Sequence, residues 1–344
     1  MRAVVIHAPR DLRVEEFACG DPGPGEVRVR LGAGGICGSD LHYYLHGGFG
    51  AIRLKEPMVL GHEVSGTVTS VGTGVTSVAP GDRITVNPSA PCGQCAYCRQ
   101  GLRNHCLDMR FYGSAMRFPH VQGAFREEIV IAEAQAFAIG GNVTLEEAAC
   151  AEPLSVGLHA VTRAGSLIGK RVLVSGCGPI GCLTIMAARF AGAQEIVACD
   201  VVEAPLALAA SVGADIAVNA AGDRGLGDWR QDKGRFDVTF ECSGNPRALA
   251  EAVEVTRPRG TIVLVGLGGD VPLPTNSVVA KELQLHGTFR FDAEFAWAAD
   301  LIARRRIDVR PLITATLPLD RAREAFDLAA DRSRSMKVQL NLAG

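Results

Sequence analysis

Four cysteines fall within fifteen residues of the chain, in the segment PCGQCAYCRQGLRNHC. This spacing lets four thiolates converge on one tetrahedral zinc ion about 2.3 Å from each sulfur. Because no coordination position is left open, such a site is structural and folds a lobe too polar to hold itself together. Chance clustering is one alternative; an iron–sulfur cluster is another, but no Pro follows the fourth cysteine and no second set exists. The predicted ligands are Cys92, Cys95, Cys98 and Cys106.

A second group of residues is suited to binding a dinucleotide. Gly176, Gly178 and Gly181 form GCGPIG directly after the apolar run RVLVS and before a helix-like segment. The first glycine permits a tight turn, the second admits a pyrophosphate, and the third lets helix and strand pack closely. The alternative is an ordinary strand-to-helix turn. The rest of the predicted coenzyme set is Pro179, Ile180, Val265 and Gly266.

An acid at the end of the next strand completes this prediction. Asp200 lies 19 residues after Gly181, where a carboxylate can bind both ribose hydroxyls of the adenosine. No Arg or Lys follows it in VVEAPLALA, so a 2′-phosphate would meet like charge without a compensating cation. The sequence therefore favours NAD over NADP. The alternative for Asp200 is a loop acid or a helix cap.

These motifs need elements to hold them, and the chain supplies two kinds. From Arg171 to about Phe289, six short β-branched runs such as RVLVSG, EIVACD and GTIVLVG alternate with helical stretches. This alternation is typical of βαβ units, and predicts a doubly wound α/β fold with a parallel sheet. Before Arg171, dense Gly and Pro among pieces such as EVRVRL predict an irregular, mostly β domain.

The last part of the chain returns to a mixed pattern. After about Asp292 we expect a helix through Ala303, a second helix from about Asp320 to Ala330, and a closing strand, MKVQLNL. We expect this tail to pack on the first domain.

Composition limits the classes of protein to consider. The 344 residues are 47% hydrophobic and 21% charged, which fits two globular domains and excludes disorder or a coiled coil. A net charge of −2 offers no attraction for nucleic acid. Charges near the N-terminus interrupt any signal peptide, and no apolar run reaches the roughly 20 residues of a membrane span. We therefore expect a cytoplasmic protein whose eleven cysteines serve metal binding or packing rather than disulfides.

Two further motifs carry a family resemblance. These are CGSD at 37–40 and GHE at 61–63, and their spacing alone does not establish a site. Together with the four-cysteine segment and GxGPIG, however, they make the chain resemble the zinc-dependent medium-chain alcohol and polyol dehydrogenases. The resemblance covers essentially the whole chain. It implies a GroES-like catalytic domain over residues 1–145, completed by 293–344, and an NAD-binding Rossmann domain over 146–292.

The resemblance also implies a catalytic zinc with an exchangeable position. By position, Cys37 and His62 match two of its ligands, and either Glu63 or Glu152 matches the third, which sequence leaves open. An open zinc position lowers the pKa of a bound hydroxyl, so that hydride can leave for the nicotinamide. Without such a role, Glu152 would be a first-turn helix acid.

Three neighbours of Cys37 receive roles from the same resemblance. Ser39 and His42 match a route that carries the released proton to solvent, and Asp40 matches an acid that orients the His62 ring. The alternative for His42 is a loop histidine without a relay role.

The substrate expectation depends on a longer match. DMRFYGSAMRFPHV resembles the branch of the family that oxidises sugar acids, which implies oxidation of the C5 hydroxyl of L-idonate to 5-keto-D-gluconate. A carboxylate substrate favours an arginine in the pocket. The candidates are Arg110, Arg117 and Arg290, with Tyr43 at another substrate position; Phe291 replaces a tyrosine common in polyol dehydrogenases. Alternatives are a sorbitol or xylitol dehydrogenase and a non-catalytic NAD-binding protein. A homodimer or homotetramer is expected from the resemblance alone.

Overall fold

The structure is a computed structural model that describes residues 1–221 and 225–343. The chain divides into two compact units. The first unit comprises Met1–Glu152, Phe295–Asp331 and Lys337–Gly344. The second unit comprises Pro153–Glu294 and Arg332–Met336. The tail therefore belongs mainly to the first unit, but its short segment Arg332–Met336 belongs to the second.

Short strands dominate the first part of the chain. The strands are β1 (Arg2–Ala8), β2 (Asp11–Glu16), β3 (Glu26–Gly35), β4 (Gly48–Phe49), β5 (Ile52–Arg53), β6 (Met58–Val59), β7 (Glu63–Val71), β8 (Arg83–Val86), β9 (Ser89–Ala90), β10 (Arg110–Phe111), β11 (Glu128–Ala132) and β12 (Ala136–Ala138). The helices are α1 (Gly38–His46), α2 (Ala96–Arg99) and α3 (Leu145–Ala149).

Helices and strands alternate in the remainder. The strands are β13 (Arg171–Ser175), β14 (Glu195–Asp200), β15 (Ile216–Asn219), β16 (Phe236–Glu241), β17 (Thr256–Leu264), β18 (Gln284–Gly287), β19 (Ile313–Pro318) and β20 (Lys337–Asn341). The helices are α4 (Ala151–Ala164), α5 (Pro179–Phe190), α6 (Glu203–Ser211), α7 (Pro246–Val255), α8 (Thr275–Ala280), α9 (Glu294–Ala303) and α10 (Ala322–Ala330).

The first unit is built on a seven-stranded sheet with the order β12-β8-β7-β3-β20-β19, and β11 also pairs with β3. In β3 the apolar residues Val27, Val29 and Leu31 alternate with more exposed ones and are fully buried, which is the pattern of a strand with one face on the core. The closing strand β20 pairs antiparallel with β3, and β3 pairs with β7. Strand β20 thus lies beside β3, the strand that leads to the CGSD motif. On its other edge β3 pairs with β7, which begins at the glutamate of GHE.

The second unit confirms the predicted doubly wound α/β fold. Its six strands are all parallel and lie in the order β15-β14-β13-β16-β17-β18. Strands β13, β14 and β16 are buried along nearly their whole length, as expected for a parallel sheet covered on both faces. Helix α5 begins at Pro179, because proline is favoured at the first helical position.

The expected helices of the tail are present as α9 and α10, and the expected strand as β20. Strand β19, which pairs parallel with β20, was not predicted, although the apolar and polar residues of its sequence ITATLP alternate. Within 1–221 and 225–343, none of the helices has the length and apolar character needed to span a bilayer.

Candidate active site

The four cysteines of the lobe are brought together as predicted. Their sulfur atoms all lie within 4.8 Å of one another. The Sγ atoms of Cys95 and Cys106 are 4.0 Å apart. A tetrahedral ion with bonds of about 2.3 Å to sulfur requires sulfur–sulfur distances of about 3.8 Å, so the geometry fits one zinc ion. No ligand position would remain open.

Backbone amides of the lobe donate to its sulfur atoms. Cys92 N donates to Cys106 Sγ at 3.2 Å, and Cys98 N donates to Cys95 Sγ at 3.5 Å. Hydrogen bonds from the Cys98 and Leu107 amides lower the pKa of Cys95 to about 6. The short helix α2 begins directly after Cys95, and its first turn supplies the Cys98 amide. The Cys95 thiolate is thus stabilised before any ion is bound, whereas desolvation raises the pKa of Cys98 to about 12.

A second set of ligand atoms converges inside the first unit. Cys37, His62 and Glu63 place one sulfur, one imidazole nitrogen and one carboxylate oxygen within 4.8 Å of one another. Cys37 caps the start of α1, His62 lies just before β7, and Glu63 begins that strand. His62 and Glu63 are buried. We name these three residues the Cys37 cluster.

Asp40 ties together the two backbone segments that carry this cluster. Its Oδ2 accepts from Cys37 N at 3.0 Å, and its Oδ1 accepts from Gly61 N at 3.1 Å. His62 Nδ1 lies 3.7 Å from Asp40 Oδ1, which is longer than a hydrogen bond, and this buried nitrogen has no hydrogen-bond partner within the described parts of the chain. Burial raises the pKa of Asp40. The expected role of orienting the His62 ring stays a prediction; the observed contacts are to backbone.

Lys337 is a member of the site that the linear pattern did not indicate. Its Nζ lies 2.8 Å from both carboxylate oxygens of Glu63 and 3.2 Å from Ile36 O. The sheet register explains the contact, because Gly35 of β3 pairs with both Glu63 of β7 and Gln339 of β20. Burial alone would lower the pKa of Lys337, but the Glu63 carboxylate raises it above its usual value. In the sequence this lysine opens the strand KVQLN, in which Val and Leu alternate with polar residues, and no motif marks it.

Glu152 lies in the first turn of α4 and is also buried. Burial, followed by the charges of Glu63 and Cys37, raises its pKa to about 8. Its carboxylate is not among the atoms of the Cys37 cluster. The positions of the ligand atoms therefore favour Glu63 over Glu152 as the third ligand. Lys337, however, competes for the carboxylate oxygens of Glu63.

The balance of charge supports a cation at this place. Burial and the Glu63 carboxylate raise the pKa of Cys37 to about 12, so the thiol is protonated without an ion. Asp40, Glu63 and Glu152 are buried, and Lys337 is the cation buried with them. Ionised acids buried beside one ammonium are costly, and that cost is removed by protonation, as the raised pKa of Glu152 indicates, or by a further bound positive charge. The donor set fits zinc.

Ser39 and His42 extend from the cluster along α1. The Ser39 side chain hydrogen-bonds Cys37. The His42 ring is exposed, with its centroid 5.6 Å from that of Phe49 and 6.2 Å from that of His46. Partial burial, and then the His46 ring, lower the pKa of His42. The ring is therefore neutral at neutral pH and able to accept a proton.

Two of the predicted substrate residues have contacts within the first unit. The Tyr43 ring is buried, and its hydroxyl accepts from Ala115 N at 3.0 Å. Arg117 forms an ion pair with Asp108. The structure thus gives Tyr43 a packing role and Arg117 a charge partner.

Arg110 and Arg290 have different surroundings. Arg110 is exposed on β10, whereas the next residue, Phe111, is buried with its ring centroid 5.4 Å from that of His62. Arg290 lies in the second unit, where its guanidinium carbon is 5.0 Å from the centroid of the Phe289 ring, and the following Phe291 is buried. Whether any of the four binds substrate stays a prediction.

The glycine motif forms a cradle at the carboxyl ends of the parallel strands. Gly176 has φ +92°, and a Cβ there would lie 2.8 Å from Ser243 N. A Cβ on Gly181 would lie 1.9 Å from Gly176 O, so the third glycine is required for helix and strand to meet. A Cβ on Gly178 would meet no atom within 4 Å; the space beside this residue is open at the start of α5. The residues fit a bound pyrophosphate.

The other predicted coenzyme residues lie at the same edge. Val265 and Gly266 follow β17 and donate their amides to Glu241 O. Asp200 ends β14 and accepts from Cys177 N at 2.7 Å. It also accepts from Arg332, at 2.8 Å. The residues that follow Asp200 in the chain include no nearby cation, whereas Arg332 reaches it from 132 positions further along.

Two protein-family models match the chain, and together they include residues of both units. Residues 23–141 match the alcohol dehydrogenase GroES-like domain, and residues 179–304 match the zinc-binding dehydrogenase domain. L-idonate 5-dehydrogenase (NAD(P)(+)) of Escherichia coli K12 is 44% identical over 313 residues, which is 91% of this chain and 90% of that protein. The chain belongs to the zinc-binding dehydrogenase family.

Other similar proteins support the same membership. Human sorbitol dehydrogenase is 37% identical over 336 residues, covering 94% of this chain and 91% of that protein. The crystal structure of L-idonate 5-dehydrogenase from Escherichia coli K-12 has a TM-score of 0.95 at 42% identity and covers 99% of this chain and 97% of that one. As a zinc-binding dehydrogenase, the protein is an oxidoreductase that acts on a CH–OH group.

Proposed function

We propose that this zinc-binding dehydrogenase oxidises the C5 hydroxyl of L-idonate to 5-keto-D-gluconate, reversibly, with NAD as the hydride acceptor. The observation that carries the proposal is the Cys37 cluster, in a chain 44% identical to an L-idonate 5-dehydrogenase of Escherichia coli. The similarity to human sorbitol dehydrogenase is lower, at 37%.

Cys37 and His62, with Glu63 or Glu152, would hold the catalytic zinc, and Cys92, Cys95, Cys98 and Cys106 would hold a structural one. When bound, zinc lowers the pKa of the substrate hydroxyl, and the nicotinamide takes the hydride. Lys337 holds Glu63 by both oxygens, which favours Cys37 and His62 as the firm ligands. Burial raises the pKa of Glu152 to about 8, so this carboxyl can hold a proton when no ion is bound.

The proton leaves along α1. The Ser39 side chain touches Cys37, and His42 lies one turn further along the helix in an exposed position. A neutral His42 ring accepts the proton and passes it to solvent. Ser39 and His42 lie on the same helix, α1, and Cys37 is its N-cap residue, which fixes their spacing.

The carboxylate of L-idonate needs a cation, preferably a guanidinium that can bind it with two hydrogen bonds. Arg117 already forms an ion pair with Asp108. Arg110 and Arg290 are the other two candidates. The Tyr43 hydroxyl accepts from Ala115 N, and its role at a substrate position rests on the family resemblance. Asp200 supports NAD, since it presents a carboxylate where the ribose would bind.

A substrate panel tests the proposal. Rates with L-idonate, sorbitol, xylitol and L-threonine should give the highest kcat/KM for L-idonate with NAD. Arg110→Ala or Arg290→Ala should reduce kcat/KM for L-idonate by about 10-fold or more and leave sorbitol oxidation nearly unchanged, whereas the control Arg117→Ala should affect neither. A much higher kcat/KM for sorbitol would instead establish a polyol dehydrogenase, the second candidate.

Metal counting tests the alternative of a non-catalytic NAD-binding protein. We expect about two zinc ions per chain, from the two sets of ligands, whereas a protein with only the structural site would hold one.

The proposal also includes a homodimer or homotetramer, which sedimentation would test, and a cytoplasmic location, because metal-binding thiols require a reducing compartment.

A further inference from the structure

Asp200 is a heavily hydrogen-bonded carboxylate at the coenzyme edge of the second unit. Its side chain is only 3% exposed. Oδ1 accepts from Val201 N at 2.7 Å and Val202 N at 3.1 Å. Oδ2 accepts from Cys177 N at 2.7 Å and from the Arg332 guanidinium at 2.8 Å. A carboxylate has about four lone-pair sites, and this one has four donors.

Arg332 differs from the other three donors in kind. It lies 132 positions from Asp200, in the segment Arg332–Met336 that belongs to the second unit. Its side chain is 54% exposed, so it can leave the carboxylate at little steric cost. The three backbone amides are fixed by the end of β14 and by the glycine turn, and they cannot leave.

We propose that Arg332 discriminates between the two nicotinamide coenzymes by covering Asp200 when no coenzyme is bound and by pairing with the 2′-phosphate when NADP binds. The inference rests on the proposed function in one respect, which is that the adenosine ribose of the coenzyme binds at Asp200. It concerns the coenzyme alone and is independent of the sugar substrate.

Arg332 affects the binding of NAD and of NADP in opposite directions. The ribose hydroxyls of NAD need lone pairs of Asp200, so NAD must displace the guanidinium and gains no new partner for it. NADP carries a 2′-phosphate beside the carboxylate, and the displaced guanidinium can bind it with two hydrogen bonds that offset the like-charge repulsion. Arg332 therefore weakens NAD binding and strengthens NADP binding. The preference for NAD over NADP is then smaller than Asp200 alone would give.

Coenzyme titration without substrate tests this inference. We would measure Kd for NADH and NADPH from coenzyme fluorescence with the purified zinc-loaded enzyme and with Arg332→Ala. Removing a half-exposed ion pair should change affinities by small factors, so NADPH should bind about 5–10-fold more weakly and NADH about 2–3-fold more tightly. Arg332→Lys should keep part of the NADPH affinity, because the charge remains and the planar fork is lost.

The matched control is Arg230→Ala, since Arg230 is 51% exposed and pairs with Glu251 and Glu254 in the same unit. It should change neither Kd. Shifts of NADH and NADPH in the same direction, or no shift, in Arg332→Ala would overturn the inference and leave the substrate panel unaffected. If Arg332→Ala is poorly folded, Arg332→Gln is titrated with the same two criteria. Wild-type enzyme that binds neither coenzyme would overturn both the inference and the proposed coenzyme.

Discussion

The four-cysteine lobe and the Cys37 cluster both gather metal ligands, but they do so by different means. The lobe takes all its ligands from fifteen consecutive residues, and backbone amides of the same segment donate to the sulfur atoms. The Cys37 cluster takes its ligands from a helix start, a loop and a strand, and it is completed by Lys337 from the C-terminal strand. One site is local in sequence and the other exists only after the sheet has formed.

Cys95 of the lobe and Cys37 of the cluster have opposite pKa shifts, although the pKa of Cys98 in the lobe is also raised, to about 12. Amide donors lower the pKa of Cys95 to about 6, whereas burial and the Glu63 carboxylate raise the pKa of Cys37 to about 12. Four cysteine sulfurs that each receive a backbone amide hydrogen bond suit an ion that stays in place. A mixed set in which a lysine holds one carboxylate leaves room for exchange, which a reactive metal requires.

The largest expected effect separates the two sites by function. Cys37→Ala should lower kcat by about 10³-fold or more, because it removes a ligand of the ion that stabilises charge in the transition state. Steady-state rates measure this effect, and NADH titration with thermal unfolding should show coenzyme affinity and stability close to wild type. Loss of coenzyme binding in this variant would mean that the metal cluster and the glycine cradle are not independent.

Lys337→Met tests whether the Cys37 cluster depends on a charge from β20. Removing a buried partner leaves the Glu63 carboxylate uncompensated, so zinc-free protein should lose about 3–5 kcal/mol of unfolding free energy. Zinc should restore part of that loss, since a bound cation takes over the carboxylate. Denaturant unfolding with and without zinc measures both values. An equal loss in the two forms would contradict the placement of a cation beside Glu63; Lys337→Arg, which keeps the charge, is the control.

Cys95→Ser should have a smaller effect, confined to the lobe. We expect zinc content to fall from about two ions per chain to about one, with Tm lower by roughly 3–8 °C. Metal analysis and calorimetry measure these changes, and Cys19→Ser, at a free cysteine outside both clusters, is the matched control. Unchanged zinc content and Tm would exclude a structural metal in the lobe.

The smallest expected effect is a difference in thiol reactivity with pH. In chelator-treated protein, Cys95 should be alkylated at pH 7 nearly as fast as at pH 8, and slower below pH 6, since its lowered pKa keeps it a thiolate. Cys37 should stay unreactive from pH 6 to pH 9, because its raised pKa keeps it protonated. Mass spectrometry of the modified peptides gives the rates. If both thiols instead titrate near the ordinary value of about 8.5, the contrast between the sites is absent.

Much of the fold followed from patterns that are short in range. The alternation of β-branched runs and helical stretches predicted the six parallel strands, and the glycine spacing placed the cradle at the end of β13. Strand β19 was not predicted although its short sequence ITATLP alternates apolar and polar residues; its pairing with β20 is a contact between separate segments. The motif CGSD indicated Cys37 and Asp40, but it gave no sign that Asp40 bonds the amides of two separate segments.

By itself, the sequence determined the ligand types, the four-cysteine lobe, the glycine turn and the class of fold, because each of these is encoded by residues within a few turns or strands of one another. Only the tertiary structure decided which distant charges meet. Lys337 reaches Glu63 through the register of three strands, and Arg332 reaches Asp200 across 132 positions. A linear pattern specifies local backbone geometry, whereas ion pairs between distant segments depend on sheet register and chain return, which are fixed only when the whole core packs.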